Sequence, residues 1–411
     1  MKQYKLGEIS EILTGSTPST KDKDNYGGDI IWVTPKDLSD QNSKYFYQGA
    51  RNITQKGLKE CGAKIIPANS ILMSSRAPIG LLAINKVECC TNQGFKSIVL
   101  DKSLADENYL YYYLKYHINE IHALGSGTTF REVSKPTLER YEIKIHDLPE
   151  QRKIGQVLSS IDDKIAVNNR INALFEQVAR AVYEYYFIQF DFPDKQGKPY
   201  KQNGGVMTYN KTLHRPIPPH FEVISLKDIC DIKSGYPFST NDYTSNGKYK
   251  IITIKNVLDG YISSDTDNTI DFIPKNMPDY CALQVGDILL SLTGNVGRVG
   301  IVFENDLLLN QRVGVLNLKN PNYRSFVYLT FSQRHFKETL ENISTGSNQK
   351  NLSPIETEKL PILFSQEIIE KFEIITKQLL EKIINNNIEN SNLKTLRDFL
   401  LPLLMNEQAR I

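Results

Sequence analysis

Several short runs in this sequence come close to known catalytic arrangements, and their spacing decides against each. Asn320-Pro321-Asn322-Tyr323 approaches the Asn-Pro-Pro-Tyr pattern that holds an amine for methyl transfer, but it lacks the second proline and no paired glycine-rich cofactor loop precedes it. Glu142-Ile143-Lys144 offers the acid-x-lysine half of a metal-dependent nuclease site, yet no Pro-Asp lies suitably upstream, and a strand of alternating charge explains it better. The histidines are scattered, and His117 and His122, five apart, cannot share a helix face, so no metal site is expected. Neither a Walker-type phosphate loop nor a nucleophile elbow is present. The expectation is a chain without catalytic residues, one that reads rather than reacts. Two sets of polar loop residues could do the reading. One comprises Ser74, Ser75, Arg76, Asn92, Gln93, Lys96, Thr128, Thr129 and Arg131. The other comprises Thr293, Asn295, Arg298, Gln311, Arg312, Asn348, Gln349 and Lys350. Any one of these is equally well a solvated loop residue, and Asn92 and its match Asn310 equally well form turns. The matched polarity of the two sets is the signal.

The elements that must position these loops are two long helices. Ile154, Leu158, Ile161, Ile165, Asn168, Asn172, Phe175, Val178, Val182 and Tyr185 follow heptad spacing, the mark of a helix packed along another helix. Adding 218 reproduces the seam as Phe372, Leu379, Ile383, Asn386, Asn390, Leu393, Leu396, Leu400 and Leu403; only Leu158 fails, falling on Thr376 beside Ile375. A buried asparagine weakens any register that denies its amide a partner. Paired asparagines at mid-seam would thus specify alignment, and antiparallel packing would bring Asn168 and Asn172 near Asn386 and Asn390. Two unrelated amphipathic helices would be the simpler account.

The repeat extends beyond the helices. Leu6-Gly7-Glu8-Ile9-Ser10-Glu11-Ile12 before Thr14-Gly15 is echoed by Leu226-Lys227-Asp228-Ile229-Cys230-Asp231-Ile232 before Ser234-Gly235, each read as a short helix closed by glycine. Ser70 to Ser74 resembles Asp287 to Ser291 as a strand, and Thr91-Asn92-Gln93 resembles Leu309-Asn310-Gln311. Amphipathic helices are expected over 106–124 and 324–343, each followed by a polar glycine loop and a last strand. Matched positions stay 217 to 220 apart, so this is a tandem duplication. The expected order is a first globule over 1–147, a helix over 148–187, a linker over 188–220, a second globule over 221–365 and a helix over 366–405. Residues 191–219, rich in Pro, Gly, Lys and Asn, read as an extended connection with little core.

Composition narrows the class only broadly. With 411 residues, 23% charged and 40% hydrophobic, the chain suits a soluble protein of two or three domains. A formal charge of +2 does not by itself suggest nucleic acid. The five cysteines form no CxxC pair and suit a reducing compartment, with Cys89 and Cys90 on a strand. No run approaches a membrane span or a signal peptide, so a cytoplasmic location without membrane contact is expected.

Mixed α/β modules alternating with long pairing helices resemble the specificity subunit of a type I restriction-modification system. Asp191-Phe192-Pro193 with Gly197-Lys198-Pro199-Tyr200, Ile217-Pro218-Pro219-His220-Phe221-Glu222-Val223, and Gly346-Ser347-Asn348-Gln349-Lys350-Asn351-Leu352 are similar to that family's recurrent phrases. The first module departs at Gly127-Thr128-Thr129-Phe130, where the second has Gly346-Ser347-Asn348-Gln349. The resemblance implies an α+β fold of two tandem target recognition domains, separated by two long helices packed as an antiparallel coiled coil in a pseudo-two-fold internal repeat. It implies a non-catalytic subunit that reads a bipartite, asymmetric double-stranded DNA site with the loop residues named above. Two methyltransferase subunits would dock on it, and restriction subunits would join through them. S-adenosylmethionine, ATP and magnesium would belong to those partners and no cofactor to this chain. The seam from Ile154 to Tyr185 would make a rod of about 46 Å at roughly 1.5 Å per residue, longer than the roughly 34 Å of one DNA turn. The competing readings are a structural adaptor with two protein-binding modules on a coiled coil, and the recognition chain of a methylation complex without a nuclease.

Overall fold

Runs that are apolar at consecutive positions become strands covered on both faces. Ile71–Met73 and Ile288–Ser291 are buried at every position, which is why neither shows polar alternation. The computed structural model describes residues 1–39, 41, 43–126, 131–346 and 349–410. It divides into two compact units, Met1–Val167 with Asn392–Ile411, and Asn168–Ser391. The long helices run Leu148–Tyr183 and Gln366–Met405, close to their expected bounds. Each gives one part of its length to each unit.

The two units repeat one topology among the described residues. In the first, a five-stranded sheet takes the order Ser10–Thr14, Lys96–Leu100, Ile71–Met73, Leu82–Asn85, Tyr45–Phe46. In the second, the order is Cys230–Ser234, Val313–Leu318, Ile288–Ser291, Val299–Ile301, Gly260–Tyr261. A three-stranded sheet accompanies each, and an antiparallel pair closes each: Lys2–Lys5 with Glu142–Ile145, and Glu222–Ser225 with Pro361–Phe364.

Several expectations are corrected. The segments before Gly15 and Gly235 are not helices closed by glycine. Each is a single 3-10 turn, Leu6–Glu8 or Leu226–Asp228, followed by a strand. The glycines serve close approach: a Cβ on Gly15 would lie 2.2 Å from the Thr91 carbonyl, and one on Gly235 would lie 2.3 Å from that of Leu309. The expected amphipathic helices are each broken in two, into Glu107–Tyr116 and Ile118–Ala123, and into Arg324–Phe331 and Arg334–Ile343. The first piece of each is covered all round, with Tyr109 to Leu114 and Ser325 to Phe331 buried, as befits a core helix rather than a surface one. The four tyrosines Tyr109, Tyr111, Tyr112 and Tyr113 of the first piece pack in the core. Tyr112 donates to Asp162 at 2.5 Å and Tyr109 meets His146 Nδ1 at 2.8 Å.

The connection over residues 191–219 is also more ordered than expected. It forms a hairpin, Thr208–Asn210 with Arg215–Ile217, and sends Phe192 and Ile217 into the core of the second unit. That core is strongly aromatic: Phe187 lies 4.9 Å from Phe326 and 5.1 Å from Phe372, ring centre to ring centre. Offset and edge contacts of this kind add about 0.5–1.5 kcal/mol per pair beyond burial.

The seam shifts partway along each helix. Ile154, Leu158, Ile161, Ile165, Asn168 and Asn172 are buried as spaced, but Val178 is exposed and Ala179 and Tyr183 take over. At the matched place in the second helix Leu396 is exposed, while Leu401 and Leu404 are buried. One extra residue in the spacing turns the apolar stripe, so a strict heptad reading fails there. Thr376, the apparent exception, is fully buried with its hydroxyl donating to the Phe372 carbonyl at 3.0 Å, and Ile375 beside it faces outward.

Candidate functional site

In the first unit three segments meet: residues 74–81 after a central strand, residues 92–96 entering the next, and Ser126 with residues 131–133. Ser75 N donates to the Gly94 carbonyl at 2.7 Å, and Val133 N to the Ser75 carbonyl at 3.0 Å. Ser126 and Glu132 exchange backbone hydrogen bonds of 3.1 and 3.0 Å. Side chains then lock the meeting point. Lys96, only 4% exposed, donates to Glu132 Oε1 at 2.9 Å and to Ser75 Oγ at 3.2 Å. Arg76 Nε donates to Glu132 Oε2 at 2.9 Å. Burial pushes the Glu132 carboxyl up, but the hydrogen bonds from Lys96 and Arg76 outweigh it and hold its pKa below the usual glutamate value.

The nine residues expected to bind in this unit therefore divide. Ser74 is fully buried, its hydroxyl donating to the Pro78 carbonyl at 2.6 Å and accepting from Leu81 N at 2.8 Å. Ser75 and Lys96 are turned inward with it. Asn92 Oδ1 accepts from Gly94 N at 2.9 Å, the turn-forming use. Arg76, Gln93 and Arg131 are exposed, although Gln93 accepts from the Thr17 hydroxyl. Thr128 and Thr129 lie outside the described residues.

The second unit brings the equivalent loops together with the same backbone bonds. Leu292 N donates to the Arg312 carbonyl at 3.1 Å, Leu352 N to Leu292 O at 2.8 Å, and Thr345 and Asn351 exchange bonds of 2.9 and 2.7 Å. Its lock is different. Leu292 lies over Gly314, where an added Cβ would stand 3.3 Å from Leu292 Cδ1, and Thr293 pairs with Asn351 in a short β-bridge. Ser291 takes the place of Ser74, donating to the Asn295 carbonyl and accepting from Arg298 N at 3.0 Å. Asn295, Gln311, Arg312, Gln349 and Lys350 are exposed, Arg298 is half-buried and Thr293 is buried. Asn348 lies outside the described residues.

The residues missed by sequence reasoning are Glu132, Asn351 and Ser291. Glu132 and Asn351 occupy matched positions with different chemistry, and that contrast was the available signal.

The asparagines meet within the second unit. Asn168 Nδ2 donates to Asn390 Oδ1 at 2.9 Å and to Glu389 Oε2 at 2.8 Å, and Asn386 Nδ2 donates to Asn172 Oδ1 at 2.8 Å. Falling numbers on one helix meet rising numbers on the other, so the helices run antiparallel there. Asn390 also donates to Asn169 Oδ1 at 2.9 Å, a partner the seam did not name. Asn168 Oδ1 is buried with no hydrogen-bond partner among the described residues.

Among the described residues no group of three or more His, Cys, Asp or Glu side chains could hold a metal ion. No helix of the described residues is long and apolar enough to cross a membrane.

Comparison with known proteins gives these features a common frame. The family model of the type I restriction modification DNA specificity domain matches residues 1–177 and again 218–393. The type I restriction enzyme MjaIX specificity subunit of Methanocaldococcus jannaschii is 34% identical, over 99% of this chain and 93% of its own length. The HindI specificity subunit of Haemophilus influenzae is 22% identical over 98% of each chain. A crystal structure of the S subunit of a type I restriction-modification system from M. genitalium shares the fold, with a TM-score of 0.60 at 19% identity over 98% of this chain and 95% of that one.

Proposed function

Because the chain belongs to the family of type I restriction-modification specificity subunits, we propose that it reads a bipartite, asymmetric double-stranded DNA site, one half with each unit. The observation that carries the reading is the repetition of one loop scaffold with unlike exposed tips. Arg76, Gln93 and Arg131 stand out from the first; Asn295, Gln311, Arg312, Gln349 and Lys350 stand out from the second. Arginine and lysine match the acceptors of guanine, asparagine and glutamine match adenine, and unlike sets select unlike bases. The chain has no chemistry to perform in this reading. It positions methyltransferase subunits that carry S-adenosylmethionine, and restriction subunits with ATP and magnesium join through them.

The two long helices form an antiparallel coiled coil that serves as spacer and dock. Their outward apolar positions, Leu174 and Val178 on the first and Leu396 and Phe399 on the second, are between 46% and 64% exposed. Such side chains on a helix face suit a partner helix or bundle. Methyltransferase subunits are the occupants that this reading commits to. An adaptor that reads no DNA would leave the difference between the two loop sets without a use.

Co-expression with a type I methyltransferase subunit that assembles with it, followed by genome-wide mapping of methylated adenines, tests the reading. A motif split by unread positions is expected. A well-assembled complex that modifies no sequence motif would contradict it.

A further inference from the structure

Within the first unit a cavity of about 300 Å³ lies apart from the recognition loops, lined by Lys44, Lys115, Lys394 and Arg397 together with Asp162, Asp163, Tyr45 and Tyr111. Four cations face two carboxylates, and the carboxylates are unevenly committed. Asp162 is held by Arg397 Nη1 at 2.7 Å and by the Tyr112 hydroxyl at 2.5 Å, and Arg397 is further engaged by Asp398 at 2.8 Å. Asp163 is exposed to solvent.

Among the described residues the three lysines make no ion pair within 4.0 Å. Lys44 is buried, donates to Ser159 Oγ at 2.6 Å, and sits 4.6 Å from the ring centre of Tyr45 and 5.2 Å from that of Tyr112. Burial lowers its pKa to about 8, an effect that the neutral oxygens, the ring faces and the more distant carboxylates of Asp163 and Asp162 offset only in part. Lys115 is half-buried and makes no hydrogen bond or ion pair among the described residues. Burial, and then the neighbouring Arg397, lower its pKa. Lys394 is exposed at the rim. Retaining partly desolvated ammonium groups around a polar void costs stability unless something answers their charge.

We infer that this cavity is a binding site for a small phosphate-bearing anion, such as inorganic phosphate or a phosphomonoester, with Lys44 and Lys115 as its charge-assisted donors and Lys394 at its entrance. Phosphate offers several acceptor oxygens, so it can take hydrogen bonds from more than one ammonium group at once. The volume holds such an anion with water to spare. A DNA duplex is excluded, because Lys44 is only 7% exposed and lies beneath the surface that a duplex could touch. The inference stands independently of the DNA-reading proposal, since none of these residues belongs to the recognition loops.

The test is isothermal titration of the full chain with inorganic phosphate, against chloride at equal ionic strength. Saturable binding at one site is expected. Lys115→Met should weaken it by tenfold or more while leaving the melting temperature of the phosphate-free chain unchanged or raised, because an unpaired cation has been removed. Lys394→Gln should weaken it by a smaller factor. Duplex DNA of unrelated sequence should not compete. Absence of saturable binding, or an unchanged affinity in Lys115→Met, would overturn the assignment. Competitive displacement by duplex would also overturn it, by making the site a backbone contact.

Discussion

At matched positions the first unit places Ser75, Arg76, Lys96 and Glu132, and the second places Leu292, Thr293, Gly314 and Asn351. The backbone hydrogen bonds joining the three loops are the same in both, so one scaffold accepts two quite different locks. In the first, a nearly buried ammonium group is answered by one carboxylate that also holds a half-exposed arginine. In the second, leucine lies over a glycine and the remaining contact is neutral. A charged lock depends on every member being present, because a buried charge that loses its partner keeps its desolvation cost. The apolar lock depends on volume instead.

That contrast can be broken most sharply at Glu132. Glu132→Ala strands Lys96 and should destabilise the first unit by about 3 kcal/mol, read by urea unfolding. Asn351→Ala in the second unit should cost about 1 kcal/mol. Equal losses would show that the ionic lock has no special standing. Next, Gly314→Ala should cost about 1–3 kcal/mol through overpacking, since its new methyl group would stand 3.0 Å from Ile232 Cγ2 and 3.3 Å from Leu292 Cδ1. Converting the first lock to the second kind, with Ser75→Leu, Lys96→Gly and Glu132→Asn together, should come within about 1.5 kcal/mol of the parent. A collapse of the triple variant would mean that the surrounding packing, not the lock, distinguishes the units.

The smallest effect is that of pH. The pKa of Glu132 is lowered in the folded chain, so its contribution is complete above the unfolded glutamate value and is lost as pH falls through the folded one. The stability difference between the parent and Glu132→Gln should therefore be constant from about pH 7 down to about pH 5, and narrow below that. A gap that widens in acid would contradict the pairing.

The large features were legible because they repeat. Helix bounds, the seam up to Asn172 and the recurrence of strands all follow from periodicity, which survives without tertiary information. The shift of the seam at Val178 was not legible, since valine suits either face and only the packing of Ala179 and Tyr183 decides. Likewise, Ser74 and Lys96 have the composition of binding residues, but their burial comes from long-range loop contacts that spacing does not encode. Glu132 was overlooked because a lone acid beside a polar loop looks like a solvated one until Arg76 and Lys96 converge on it.

The central claim is that the two loop sets read separate halves of one DNA site. Its most direct test is the methylation pattern produced by the assembled complex carrying Arg76→Ala or Arg312→Ala. The account predicts that each variant relaxes or abolishes selection in one half only, a different half for each, with the other half still read. Identical patterns from the parent and both variants, or loss spread evenly over both halves, would contradict it.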